Sequence, residues 1–272
     1  MNAPLHLGLV VLIACATWWL STGLILSLVA RHPRTYRWSM FGGVISALGA
    51  IGAIVATRSN ETTEGALIAF AGAIAIWGCI EMAFLMGYVV GPSRTDCPPG
   101  LRLWPRFKAS WAAIAHHEIA LLAGLVTISI LVAGRPNTLA LQTFALMWAM
   151  RLSTKLNIFL GVSSGGQEYL PSTVRHLGTY FAYAPMNPLF PISITAATAA
   201  TVLFITAALN PLATPHEATG FTILATFAGL ALFEHWLLVL PLKMSIIWPW
   251  AEQQEQPVPP GTSLARAQQP IP

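Results

Sequence analysis

Nine polar side chains stand inside stretches that are otherwise hydrocarbon. They are Glu81; His116, His117 and Glu118; Arg151, Lys155 and Asn157; and Glu234 and His235. Carboxylates and imidazoles exchange protons and ligate Fe, Mn or Zn, while lysine and arginine neutralise carboxylates. Arg151 and Lys155 are four residues apart and share one helix face. Three carboxylates (Glu81, Glu118, Glu234) against these two cations leave a surplus acceptor. It is protonated, paired with a histidinium, or neutralised by a metal. Glu81 and the two Glu/His doublets make a candidate metal set: Glu81, His117, Glu118, Glu234 and His235. The Glu-x-x-His spacing of di-iron bundles is absent, as is the histidine-box spacing of membrane desaturases. Neighbours on a helix point about 100° apart, so each doublet offers one ligand readily and a second only with a bend. A single histidine in an apolar slot would suffice to hold the magnesium of a tetrapyrrole such as bacteriochlorophyll. Against these stand plainer readings. Ion pairs of Arg151 and Lys155 lock helices together, Lys155 snorkels to the boundary, and His116 sits near headgroup level.

Side chains of this kind need elements that hold them at one level. The chain has 272 residues, of which 55% are hydrophobic and 9% charged. Soluble domains carry about 25% charged residues, so a soluble globular enzyme is excluded, and disorder is excluded for most of the length. Long apolar blocks rather than short alternating segments predict an all-α, polytopic transmembrane helical bundle and not a barrel. Seven blocks are expected at about 5–30, 39–57, 65–90, 110–133, 139–160, 189–210 and 219–241, separated by Pro- and Gly-containing connections. Residues 1–245 form one transmembrane domain. Residues 246–272, rich in Pro and Gln, are expected to be a disordered cytoplasmic tail. The first block reads as a retained helix rather than a signal peptide. Cys15, Cys79 and Cys97 are scattered and form no disulfide framework. Small residues at steps of four, Gly42, Ser46 and Ala50 in the second block and Ser193, Ala197 and Thr201 in the sixth, predict close bundle packing, with a homodimer face as the lesser reading.

Orientation follows from Lys and Arg. Ten lie on the side of the first, third and fifth connections and the tail: Arg31, Arg34, Arg37, Arg94, Arg102, Arg106, Lys108, Arg175, Lys243 and Arg266. The other side holds only Arg58 and Arg135. The bias predicts a periplasmic N-terminus and a cytoplasmic C-terminus. Trp104, Trp111, Trp248 and Trp250 fit an interfacial belt. The net charge of +4 then reflects basic loops and not a nucleic-acid partner. Counting about 1.5 Å per residue puts the four polar sets in the cytoplasmic half, where they are expected to cluster.

Several strings resemble a known family. They are His116-His117-Glu118-Ile119-Ala120, the run from Ala149 through Arg151, Lys155 and Asn157 to Val162, Met186-Asn187-Pro188-Leu189-Phe190-Pro191, and Glu234-His235-Trp236. Together they resemble the photosynthetic complex assembly protein 2 family (PuhE-like) of purple photosynthetic bacteria over most of residues 1–245. The resemblance implies a multi-pass protein of the bacterial inner (intracytoplasmic) membrane. It implies a gene in a photosynthesis cluster, near that of the reaction-centre H subunit. It also implies a role in assembling the reaction-centre/light-harvesting complex or in bacteriochlorophyll supply, with those subunits as partners. It carries no catalytic assignment. An assembly factor that holds a pigment or an apo-subunit helix, and a membrane metalloenzyme acting on a pigment or isoprenoid through Glu/His-ligated Fe or Zn, both stay open. A proton path is less favoured, because no polar ladder continues into the outer halves.

Overall fold

The computed structural model describes residues 3–240. Seven long helices follow one another: α1 (Ala3–Val29), α2 (Tyr36–Thr57), α3 (Thr63–Leu85), α4 (Leu103–Val132), α5 (Leu139–Leu160), α6 (Leu189–Ala208) and α7 (Pro215–Leu237). Short 3₁₀ turns occur at Pro33–Thr35, Gln167–Tyr169 and Ser172–Tyr180. No strand forms among the described residues, only an isolated bridge between Val162 and Tyr183. The protein is therefore all-α. Six helices, all but α5, are long and apolar enough to cross a membrane. The expected tail, with Lys243, Trp248, Trp250 and Arg266, lies outside the described residues.

Hydrogen bonds show that the helices run between two common ends. At one end, the Asn137 side chain donates to Thr57 O and Gly65 O, each at 3.0 Å. The Arg58 guanidinium donates to Leu131 O, and His216 Nδ1 lies 3.2 Å from Thr62 O. The connections after α2, α4 and α6 are thus stitched together. At the opposite end, Thr173 Oγ1 donates to Leu85 O at 2.5 Å, Arg106 donates to Phe159 O and Tyr180 O, and Ser163 donates to Val239 O at 2.9 Å. Eight of the described Lys and Arg residues belong to this second end and its flanking turns: Arg31, Arg34, Arg37, Arg94, Arg102, Arg106, Lys108 and Arg175. The first end has Arg58 and Arg135.

Helix α3 is the most enclosed of the apolar helices and packs on α1, α2, α4, α5 and α7. Its buried face of Ala66, Ala69, Phe70, Ala73 and Ile76 meets Phe144 of α5 and Phe227 of α7. Phe70 and Phe227 lie edge-on, with ring centroids 5.3 Å apart. Small side chains on α3 let large ones from its neighbours close the centre.

Several expectations need correction. Helix α3 stops at Leu85, not 90, because the chain turns at Met86 and at Gly87, whose φ is +81°. Helix α4 starts at Leu103, seven residues before 110: Pro105 is tolerated in a first turn, where N–H groups need no helical partner. In α2, Gly42 and Ser46 are exposed. The inward face is instead Gly43, Ala50 and Ile54, with Gly43 against Met82 and Ile54 against Gly72. Of the expected stripe only Ala50 turns inward. On α6, Ser193 and Ala197 are buried, and Thr201 reaches Gly229 of α7.

Candidate functional site

Glu81 lies near the end of α3, His117 and Glu118 near the middle of α4, and Arg151 and Lys155 past the middle of α5. The structure brings these five side chains into one network. Lys155 Nζ donates to Glu118 Oε1 at 2.5 Å and sits 3.0 Å from His117 Nδ1. Trp148 Nε1 donates to Glu118 Oε2 at 3.3 Å. Trp148, Arg151 and Lys155, at i, i+3 and i+7, form one face of α5. An ammonium group has no acceptor, so His117 Nδ1 accepts and the ring proton sits on Nε2. That Nε2 points at Glu81 Oε1, 3.7 Å away, and Glu81 Oε2 faces an Arg151 Nη2 at 3.6 Å.

The two halves of the network differ. Around Glu118 both carboxylate oxygens are engaged. Around Glu81 the separations exceed hydrogen-bond length, and three buried atoms have no hydrogen-bond partner: Glu81 Oε1, His117 Nε2 and Arg151 Nε. Unpaired buried polar atoms are costly, and that cost falls on the Glu81 half. Arg151 is its open member, with a side chain 41% exposed. Glu234 of α7 is half-buried and forms no hydrogen bond or ion pair among the described residues, yet lies within electrostatic range of Arg151 and Glu81. The under-bonded half is thus Glu81, Arg151 and Glu234, with His117 Nε2 behind them.

Packing fixes the ring of His117. Phe84 covers it at a centroid distance of 4.1 Å, and the His117 backbone N–H donates to Val90 O at 3.1 Å. The loop bearing Val90 presses onto α4 so closely that a Cβ on Gly91 would fall 2.2 Å from Ala112 O. Glycine is required there for approach, not for conformation. Two loops, 86–102 and 161–188, cover this end of the bundle. Val90, Val174, Leu177 and Tyr180 pack with Phe84 and Ala113, and Tyr180 Oη donates to Thr95 O at 3.1 Å.

The remaining candidates lie elsewhere. His116 is exposed and does not belong to the buried cluster, because the step of about 100° from His117 turns it outward. His117 and Glu118, despite that same step, both face inward, since α4 is wedged between α3 and α5. Glu234 and His235 separate. His235 Nε2 lies 2.9 Å from Ser153 Oγ, Ser153 donates to Ser193, and Asn157 Nδ2 donates to Ser193 Oγ and Ser153 O. Asn187 completes this second network by donating to Asn157 O, Asn157 Oδ1 and Gly161 O. Its own Oδ1 accepts from the N–H groups of Leu189 and Phe190 at the start of α6. Hydroxyl and amide groups bind α5, α6 and α7 here with their hydrogen bonds satisfied. Asn157 and His235 thus belong to this interhelical network and not to the one around Glu118.

The five-residue metal set does not assemble. Among the described residues no three His, Cys, Asp or Glu side chains converge to hold a metal ion. Where a cation would bridge His117 and Glu118, the Lys155 ammonium already lies. His117 also does not fit as an axial ligand to a tetrapyrrole magnesium: its ring is fully buried against Phe84, and its Nδ1 is taken. The sequence reading placed none of Trp148, Phe84, Ser153, Ser193 and Asn187 in a polar network. For Trp148 a signal existed, its position on the Arg151/Lys155 face. Serine and asparagine are too common in spans to stand out.

Residues 5–258 match a family described as a protein of unknown function, DUF3623. The chain is 38% identical over 271 residues to an uncharacterized 30.4 kDa protein in the puhA 5′ region of Rhodobacter capsulatus, with 95% of this chain and 97% of that protein covered. No solved structure matches the chain.

Proposed function

The chain belongs to the DUF3623 family, and from that premise we propose that it is an integral inner-membrane factor assisting assembly of the photosynthetic reaction-centre/light-harvesting complex or its bacteriochlorophyll supply. The observation that carries this reading is the end-to-end similarity to a protein from a puhA 5′ region. The resemblance of the intramembrane strings to the photosynthetic assembly family supports it independently. The positive end of the bundle faces the cytoplasm in this reading, with the N-terminus periplasmic, because cytoplasmic turns collect Lys and Arg. The client engages Glu81, Arg151 and Glu234. A polar substituent or side chain brought to these groups supplies the hydrogen bonds that Glu81 Oε1 and Arg151 Nε lack. Charged groups at membrane depth are expensive to keep, and the Glu118 half alone would suffice to lock α4 to α5.

The test is a deletion in a pigmented host, complemented with His117→Ala, Glu234→Gln and Arg151→Met. Whole-cell absorption spectra and immunoblots are recorded together. The expected result is a fall in complex or pigment bands on deletion. Glu234→Gln keeps normal protein levels but rescues poorly, whereas Arg151→Met and His117→Ala, which empties a fully buried site, lower the amount of protein. Unchanged spectra in the deletion strain would refute the assignment, and full rescue by both His117→Ala and Glu234→Gln would remove the site from it.

A further inference from the structure

A second polar feature lies at the positive end of the bundle, away from the buried network. A surface pocket of about 360 Å³ is lined by Pro33, Arg34, Arg37 and Tyr88. Neither guanidinium forms an ion pair among the described residues. Arg37 instead lies over the Trp38 ring, 5.4 Å from its centroid. Two uncompensated guanidiniums and a phenol hydroxyl form the donor set that suits a phosphate group.

The pocket is held in shape by its surroundings. Tyr36 Oη donates to Val29 O at 2.7 Å, tying the start of α2 back to α1. Within the turn, the Arg34 N–H donates to His32 Nδ1, and Thr35 Oγ1 donates to His32 O. On the facing side, the Arg94 guanidinium donates to Gly87 O at 2.9 Å and so fixes the turn that presents Tyr88. The donors are thus mounted on two braced turns.

Below the pocket, α2 presents an apolar stripe to the membrane. Trp38, Phe41, Ile45 and Leu48 are all exposed, and their spacing of three, four and three residues keeps them on one face. Starting beside the two arginines, the stripe runs about 15 Å into the hydrocarbon. Positive donors above and an apolar track below fit one occupant with a charged head and a long tail.

We propose that this pocket binds the phosphate headgroup of an anionic phospholipid, with an acyl chain along Trp38, Phe41, Ile45 and Leu48. A zwitterionic lipid presents the same phosphate but places its own cation against Arg34 and Arg37. Selection therefore favours net negative headgroups, as at other basic pockets between helices at a membrane surface. The site is independent of the assembly reading and stands or falls separately from it.

The test uses the full chain purified in detergent. Dioleoyl phosphatidylglycerol, dioleoyl phosphatidylcholine and inorganic phosphate are titrated separately, with retained lipid read by native mass spectrometry and stability by thermal unfolding. The expected result is tighter retention of phosphatidylglycerol, and a preference reduced by roughly twenty-five-fold in Arg34→Gln/Arg37→Gln, at a factor of about five per arginine. Arg135→Gln, at the opposite end, leaves the preference unchanged. Should the double variant fail to purify, Arg37→Gln alone reads a fivefold loss on the same scale. Equal retention of the two lipids overturns the proposal, as does an unchanged preference in the arginine variants. Displacement of phosphatidylglycerol by millimolar inorganic phosphate overturns the lipid as occupant.

Discussion

Removing the charges of Glu118 and Lys155 together should destabilise the protein by clearly less than the sum of the two single losses. Glu118 is 4% exposed at its side chain and Lys155 18%, so water screens the pair little. At 2.5 Å and an effective dielectric of about 20, the attraction is roughly 6–7 kcal/mol. Desolvating two ions costs several kcal/mol each, so the intact pair is close to neutral against an apolar replacement, while stranding one partner costs about 3–5 kcal/mol. Glutamine at 118 still accepts from Trp148 or Lys155 and recovers about 1 kcal/mol. The expected losses are therefore about 2–4 kcal/mol for Glu118→Gln and about 3–5 kcal/mol for Lys155→Met. The double variant should lose about 2–3 kcal/mol less than their sum. The assay is a double-mutant cycle from unfolding titrations in mixed micelles, read by tryptophan fluorescence. Additivity within about 0.5 kcal/mol would refute the reasoning, because it would mean that the two charges do not depend on one another.

Three further outcomes follow from the geometry. Gly91→Ala drives a Cβ into the backbone of Ala112 and Ala113, and should cost about 1–3 kcal/mol, measured as a lower thermal midpoint; an unchanged midpoint would show that the loop does not press on α4. Asn187→Leu removes the contacts its amide donates to Asn157 and Gly161 and two accepted bonds, leaving Gly161 O and Asn157 Oδ1 without their donor, and should cost about 2–4 kcal/mol, read in the same unfolding assay. Burial pushes the Cys97 thiol above its usual range, with Arg106 pulling the other way; in a Cys15→Ser/Cys79→Ser background, Cys97 should react with maleimide more slowly at pH 7 than in unfolded protein, and speed up as pH rises and the thiolate forms. An impermeant maleimide should reach it in inside-out vesicles and not in spheroplasts, and the reverse pattern would overturn the orientation.

The helical class was legible because hydrocarbon demands it: long apolar blocks with few charges have one stable form in a bilayer. The span expected at 139–160 coincides with α5, Leu139–Leu160, since Gly134, Pro136 and Gly161 punctuate it sharply. Elsewhere the ends slipped where a composition cue misled, as at Trp104, Pro105, Arg106 and Lys108, which read as a loop and fold as helix. Depth along each helix can be counted from residue number, so the shared level of Glu81, Glu118 and Lys155 could be reasoned from sequence. Rotation about each axis cannot be counted in the same way. Whether His116 or His117 turns inward depends on which neighbours α4 meets, and both lie in apolar company. The same ambiguity set Gly42 and Ser46 of α2 outward, and hid the Ser153–His235 contact, whose partners are 82 residues apart.

Among the described residues, helix α5 is the one long helix that is not apolar enough to cross a membrane by composition, and its cations find their acids on α3 and α4. During synthesis these helices emerge in the order α3, α4, α5. Glu81 and Glu118 therefore wait at the insertion machinery before Arg151 and Lys155 are made. Centring a lone arginine or lysine in a nascent span costs about 2.5–3.5 kcal/mol, and α5 carries one of each. If α5 spans, its entry should depend on the two helices already there, and α3, α4 and α5 should insert as a unit. Truncation after α4 would strand two carboxylates in the bilayer, and an α5 expressed alone would remain in water.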